Sequence, residues 1–180
     1  MSKALLIIDM INNLDFPQGE ELLKEALPVA ENIVRIKKMF VEKKLPIIYV
    51  NDNFGKWKSN WEEVFDHCSA DESRGKVLAE LLRPQKEDYF ILKPKHSGFY
   101  CSNLDVLLND LKVKELVITG IAGNICVLFT VNDAYMRGYD LHVPENAIAS
   151  SSKKLNDFAL EQFKDVFSIK TESLDHSHQI

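Results

Sequence analysis

Residues 115–138, ELVITGIAGNICVLFTVNDAYMRG, decide how the rest of the chain is read. Glu115 to Thr119 is a short, apolar, β-rich run cut off by Gly120, the pattern of a buried strand. Gly123 and Asn124 supply a tight bend, and a helix follows to Met136, with Gly138 as its stop. Cys126 therefore falls at the first turn of a helix, where unpaired backbone N–H groups and the positive end of the helix dipole converge. That setting lowers a thiol pKa and can hold a developing oxyanion. Two readings stand open: a reactive thiol, or a small buried hydrophobe, the commoner fate of a free cysteine.

Working outward, the same strand-then-helix unit recurs. Leu5 to Asp9 is an apolar run ending in a carboxylate, and Pro46 to Val50 is another, followed by Asn51 and Asp52. Continuous rather than alternating hydrophobicity marks strands covered on both faces, as in a parallel sheet. Between them an amphipathic helix is predicted over Glu20 to Lys43, restarting or kinking at Pro28. Further strands are predicted at Tyr89–Leu92, Tyr139–Val143 and Asp165–Ile169, and further helices at Ser73–Leu82, Ser102–Asp110 and Lys153–Lys164. Residues 53–72 are less regular, and the tail from Lys170 is polar and expected to fray.

This alternation predicts a single domain over residues 1–180, a three-layer α/β/α sandwich on a six-stranded, mostly parallel sheet. Its geometric consequence is specific. Asp9, Asp52, Lys93 and Cys126 all stand at or just beyond C-terminal strand ends, which share one edge of a parallel sheet and can meet in one crevice. Capping the turn that follows is the competing reading of Asp9.

Composition narrows the function. At 180 residues the chain can bury a substantial core. No stretch approaches the roughly 18 apolar residues of a membrane span, and the N-terminus lacks a signal-peptide pattern. A cytoplasmic protein with free thiols is expected, and Cys68, Cys101 and Cys126 match no zinc spacing. The net charge of -5, without a basic run, argues against nucleic-acid or membrane partners and for a small-molecule substrate.

An acid, a lysine and a thiol in one crevice make a coherent set. The ammonium favours the thiolate, and the carboxylate accepts the thiol proton and later returns it. The cycle is attack on a carbonyl, an oxyanion held by backbone amides, loss of an amine and hydrolysis of a thioester.

LLIIDMINN (5–13) with Asp15 and Phe16, LKPKHSGFYCSNLD (92–105) and VITGIAGNICV (117–127) resemble, in order, the three motifs of the isochorismatase-like cysteine hydrolases, which include nicotinamidases and N-carbamoylsarcosine amidases. The resemblance covers nearly the whole chain. It implies Asp9 as general base, Lys93 as charge partner and Cys126 as nucleophile. Lys93 is selected over Lys95 by its spacing to Ser97-Gly98-Phe99. The resemblance also implies a cis peptide between Ile121 and Ala122, an oxyanion hole from the Ala122 and Cys126 amides, and a homodimer or higher homo-oligomer.

Two departures qualify it. Nicotinamidases carry Asp-x-His as metal ligands after the second strand; here the stretch is Asp52-Asn53-Phe54, and His67 alone does not rebuild the site, so no metal and no cofactor are expected. Gly123 replaces a common Thr or Ser, loosening the turn or enlarging the space near the oxyanion. Retention of Cys126 favours amide, imide or carbamoyl hydrolysis. The alternatives are an isochorismatase-type vinyl-ether hydrolase relying on Asp9 and Lys93, and a small-molecule binding protein without turnover. Phe16, Phe54, Trp57, Trp61 and Phe99 are candidate pocket walls. His96 is placed near the site, His142 in a strand, and His176 and His178 in the tail.

Overall fold

The computed structural model describes residues 2–58 and 60–174. Its strands are β1 (Ser2–Ile8), β2 (Ile47–Asp52), β3 (Tyr89–Lys93), β4 (Val113–Ile121), β5 (Asp140–His142) and β6 (Ile148–Ala149). They form one parallel sheet in the order β3-β2-β1-β4-β5, with β6 pairing the end of β4 beyond β5. Its helices are α1 (Gly19–Glu42), α2 (Trp61–Cys68), α3 (Lys76–Leu81), α4 (Leu104–Asp110), α5 (Leu128–Met136) and α6 (Lys153–Glu161).

The apolar strands alternate their side chains between two cores, which is why they read as continuous runs. Leu5 and Ile7 of β1 pack with Ala26, Ala30 and Ile33 of α1, whereas Leu6 and Ile8 pack on the opposite face with Leu104, Leu108 and Val131. The result is the three-layer α/β/α sandwich. α1 runs unbroken through Pro28. None of its helices is long and apolar enough to cross a membrane among the described residues.

Three expectations change. The sixth strand is Ile148–Ala149, not Asp165–Ile169, because a two-residue strand carries no detectable period. Residues 162–166 instead close α6 as a π-helical turn, and Ser168, at φ 53°, breaks the apparent run. The irregular stretch contains α2, whose Asn60 side chain accepts the Glu63 amide at 3.3 Å and donates to its carboxylate at 3.2 Å, a cap that starts a short helix. The tail is packed as far as Leu174. Lys170 and Thr171 carbonyls accept from Val143 and Glu145, both at 2.9 Å, and Leu174 is buried. His176 and His178 lie outside the described residues.

The chain moves outward from β1 through β2 to β3, then returns to place β4 on the other side of β1. The strand order reverses between β1 and β4, the position where open α/β sheets hold ligands. Gly120 sits at that seam with φ 117°, and a Cβ there would run into the carbonyl of Ile8. Gly120→Ala is expected to cost about 2–5 kcal/mol from backbone strain plus overpacking, read as a lowered Tm in a thermal melt.

Candidate active site

Asp9 leaves the end of β1 in the left-handed region at φ 49°, a conformation aspartate tolerates better than most residues. Its carboxylate is then fixed from two sides. The Asp52 amide at the end of β2 donates to Oδ1 at 2.8 Å, and the Lys93 ammonium lies 2.8 Å from Oδ2. Lys93 ends β3, two strands away, and its fully buried side chain reaches across to Asp9. Its Nζ also lies 3.7 Å from Cys126 Sγ. Lys95, by contrast, is exposed.

Cys126 enters from the far side of the strand reversal. The peptide between Ile121 and Ala122 is cis, and the chain then makes a π-helical turn over Gly123–Val127 that leads into α5. Thr130 Oγ1 donates to the Cys126 carbonyl at 2.7 Å and accepts from the Gly98 amide at 2.9 Å. That hydroxyl ties the cysteine turn to the loop following Lys93. Gly123 does not enlarge the site. Its missing Cβ would stand 2.5 Å from Asn156 Oδ1 and 3.0 Å from Ser150 Oγ, so the space is already filled. Ser150 Oγ accepts from the Asn124 amide at 3.1 Å and donates to Asn156 at 3.2 Å, steadying the same turn.

The electrostatics reverse one expectation. Burial is the largest influence on the Cys126 thiol and pushes its pKa up; Asp9 adds to the rise, and Lys93 opposes it without overcoming it. The resting sulfur is a thiol with a carboxylate close by, not a standing thiolate. On Lys93 burial acts downward, but Asp9, Cys126 and Asp52 together hold the ammonium above the ordinary lysine value. The lysine stays charged.

The three side chains meet beneath a cavity of about 490 Å³ whose lining includes Asp9, Ala122 and Cys126. Phe16 and Phe54 line it as well. Trp57, Trp61 and Phe99 stand outside it. Trp57 is 80% exposed, and Trp61 packs on Phe90 and Phe65 at centroid distances of 5.7 and 6.3 Å. Phe99 is buried against Tyr139 and under the Arg137 guanidinium, part of the core on that face of the sheet. An isolated aromatic in a loop carries no periodicity that tells wall from core.

Sequence reasoning missed Asn51, Asn12, Asn13, Gln18 and Ile125. The buried Asn51 carboxamide bonds both the amide and the carbonyl of Ile11 at 3.3 and 2.5 Å, fixing the chain just after Asp9. The other four line the cavity. The only signal for Asn12 and Asn13 is their cluster shortly after the β1 carboxylate. His96 does reach the site: its Nδ1 lies 3.7 Å from Cys126 Sγ. His142 lies in β5.

The residues here do not fit the metal of the nicotinamidase motif. The Asp52 carboxylate accepts the Phe54 amide at 2.6 Å, Asn53 replaces a histidine, and His67, now on α2, faces Asn13 at 3.1 Å. Among the described residues no group of three or more His, Cys, Asp or Glu side chains is placed to hold a metal ion.

Comparison with known proteins agrees with this architecture. A family model described as the isochorismatase domain matches residues 3–173. An isochorismatase family protein of Bacillus subtilis, YaaI, is 45% identical over 164 residues, 91% of this chain and 90% of that one. Among solved structures, the nicotinamidase of Staphylococcus aureus superposes with a TM-score of 0.73 at 26% identity, covering 96% of this chain and 98% of its own. N-carbamoylsarcosine amidase from Thermoplasma acidophilum gives the same score and identity, covering 100% and 99%. With that family model spanning nearly the full chain, this protein belongs to the isochorismatase family and is a hydrolase.

Proposed function

We propose that the protein hydrolyses a small amide, imide or carbamoyl C–N bond through a thioester on Cys126. One observation carries the reading: a single buried ammonium lies 2.8 Å from the Asp9 carboxylate and 3.7 Å from the Cys126 sulfur at the floor of a cavity. Because burial and Asp9 hold the sulfur protonated, attack requires a base, and Asp9 takes the thiol proton as the C–S bond forms. Lys93 keeps the carboxylate in place and offsets charge on the departing thiolate. The Ala122 and Cys126 amides receive the oxyanion. The thioester is then hydrolysed by water.

The cavity wall favours a neutral substrate. Three carboxylates, Asp9, Asp15 and Asp52, line it against the Lys93 ammonium beneath and the His96 imidazole, and among the described residues no arginine or other lysine lines it. A vinyl-ether substrate bearing two carboxylates would meet like charge there, each such encounter costing about 1–4 kcal/mol at 4 Å for an effective dielectric between water and protein surface. This is the ground for preferring C–N cleavage. Across a panel of small amides, neutral members are expected to exceed their carboxylate-bearing counterparts in kcat/KM by at least tenfold, roughly the 1.4 kcal/mol equivalent. Preference for the anionic members would overturn the neutral-substrate reading. Mass spectrometry of the quenched enzyme should show the acyl group on the peptide containing Cys126.

A further inference from the structure

The site holds a titratable group that the reading above leaves idle. His96 Nδ1 lies 3.7 Å from Cys126 Sγ, and its ring packs on Phe129 at a centroid distance of 5.5 Å. It lines the same cavity as the sulfur but is exposed, whereas Lys93 and Asp9 are 0% and 4% exposed. The sulfur is thus flanked by two nitrogens, one sealed in the floor and one open to solvent. The loop bearing His96 is anchored by Ser97 Oγ donating to Asp133 and by the Gly98 amide on Thr130.

Resting on the hydrolase reading, we propose that His96 is a second catalytic acid/base, carrying the proton between leaving amine and attacking water while Asp9 keeps the proton of the thiol. The division follows from position. A carboxylate pinned beneath the sulfur is placed to take and return the S–H proton. A leaving nitrogen and an incoming water both meet the reacting carbon from the open cavity, where the imidazole stands. An imidazole nitrogen can take a proton and give it back. The charged and titratable groups around it are the Cys126 thiol, Lys93 beneath, Lys95 next on its own loop, and the Asp9, Asp15 and Asp52 carboxylates of the cavity.

The cycle balances. Cys126 sulfur attacks the carbonyl carbon as Asp9 takes its proton, leaving a tetrahedral oxyanion with the His96 imidazolium nearby. The C–N bond breaks, the nitrogen takes the imidazolium proton and departs as amine, and the thioester remains with neutral His96 and protonated Asp9. Water adds to the thioester carbon, giving its proton to His96. Collapse breaks the C–S bond, the sulfur recovers its proton from Asp9, and the acid product leaves.

His96→Gln tests this with two readouts. Neutral-amide kcat should fall by about 10²–10⁴-fold, the usual worth of a general acid/base. With a 4-nitrophenyl ester, whose leaving group needs no proton, the variant should release a burst and accumulate acyl-Cys126. The pH profile of iodoacetamide alkylation of the Cys126 peptide, resolved by mass spectrometry, should differ between the wild type and the variant, since His96 Nδ1 lies against the sulfur. A variant kcat within about threefold of wild type overturns the proposal. So does an unchanged alkylation profile, even with turnover lost, since that marks a structural role. A wild type inert to the whole panel but with a His96-dependent alkylation profile rejects the amide reading and keeps the proton coupling between His96 and Cys126.

Discussion

Cys126→Ala lowers kcat/KM for amide hydrolysis by about 10⁴–10⁶-fold, the scale of losing a covalent nucleophile, and abolishes the acyl adduct. The fold should survive. The residue is only half-buried, and trimming one sulfur at such a place costs about 1 kcal/mol or less. A thermal melt within a few degrees of wild type, beside dead kinetics, would separate chemistry from collapse. Retained activity would reject the thioester route and return the vinyl-ether reading, in which Asp9 and Lys93 act without sulfur. Serine in place of Cys126 sharpens the point. A hydroxyl is harder still to ionise than a raised thiol, so Asp9 would face a less acidic proton, and Cys126→Ser should sit nearer the alanine variant than the wild type.

That reasoning depends on a quantity that the chain itself hides. Asp9, Lys93 and Cys126 are legible as types and places, because Asp9 and Lys93 each close an apolar run, Cys126 follows one across a short turn, and parallel strands bring such ends to one edge. Gly120 and Gly138 bracket the cysteine unit just as visibly. The sign of the thiol shift is not legible. Helix-end amides and an ammonium argue downward, and only the folded molecule shows that partial burial beside Asp9 outweighs them. The same limit hides what fills the space at Gly123, since Ser150 and Asn156 arrive from beyond β6. It also hides the cavity wall. Phe54 and Trp57 are three residues apart in the same connection, yet Phe54 turns inward after a left-handed residue pair (φ 50° and 70° at Phe54 and Gly55) and Trp57 remains outside. Side-chain direction in an aperiodic loop follows from backbone angles that composition does not specify.

Lys93→Met should damage both stability and activity, and a second substitution should restore only one of them. Methionine keeps the apolar length of the buried lysine but removes the charge, leaving the Asp9 carboxylate unpaired at 4% exposure. Breaking a buried ion pair from one side costs about 3–5 kcal/mol, which for a domain of this size lowers Tm by roughly 6–20 °C. Adding Asp9→Asn removes the stranded charge, and the carboxamide oxygen can still accept the Asp52 amide that Oδ1 accepts now. The Asp9→Asn/Lys93→Met protein should therefore regain most of the lost Tm while remaining inactive, having no base for the thiol. The pH dependence carries the same signature. Lys93 has a raised pKa in the folded state, so its contribution is fully present below the unfolded lysine value of about 10.4 and is lost as pH rises through the higher folded one. Denaturant titrations at neutral pH and above about pH 10.5 should show this alkaline loss in the wild type and a smaller one in the double variant. If Lys93→Met melts with the wild type, the pair contributes no net stability and the ammonium is held there for catalysis alone. If the double variant turns over amides, Asp9 is not the base, and the proton of the sulfur must leave by another route.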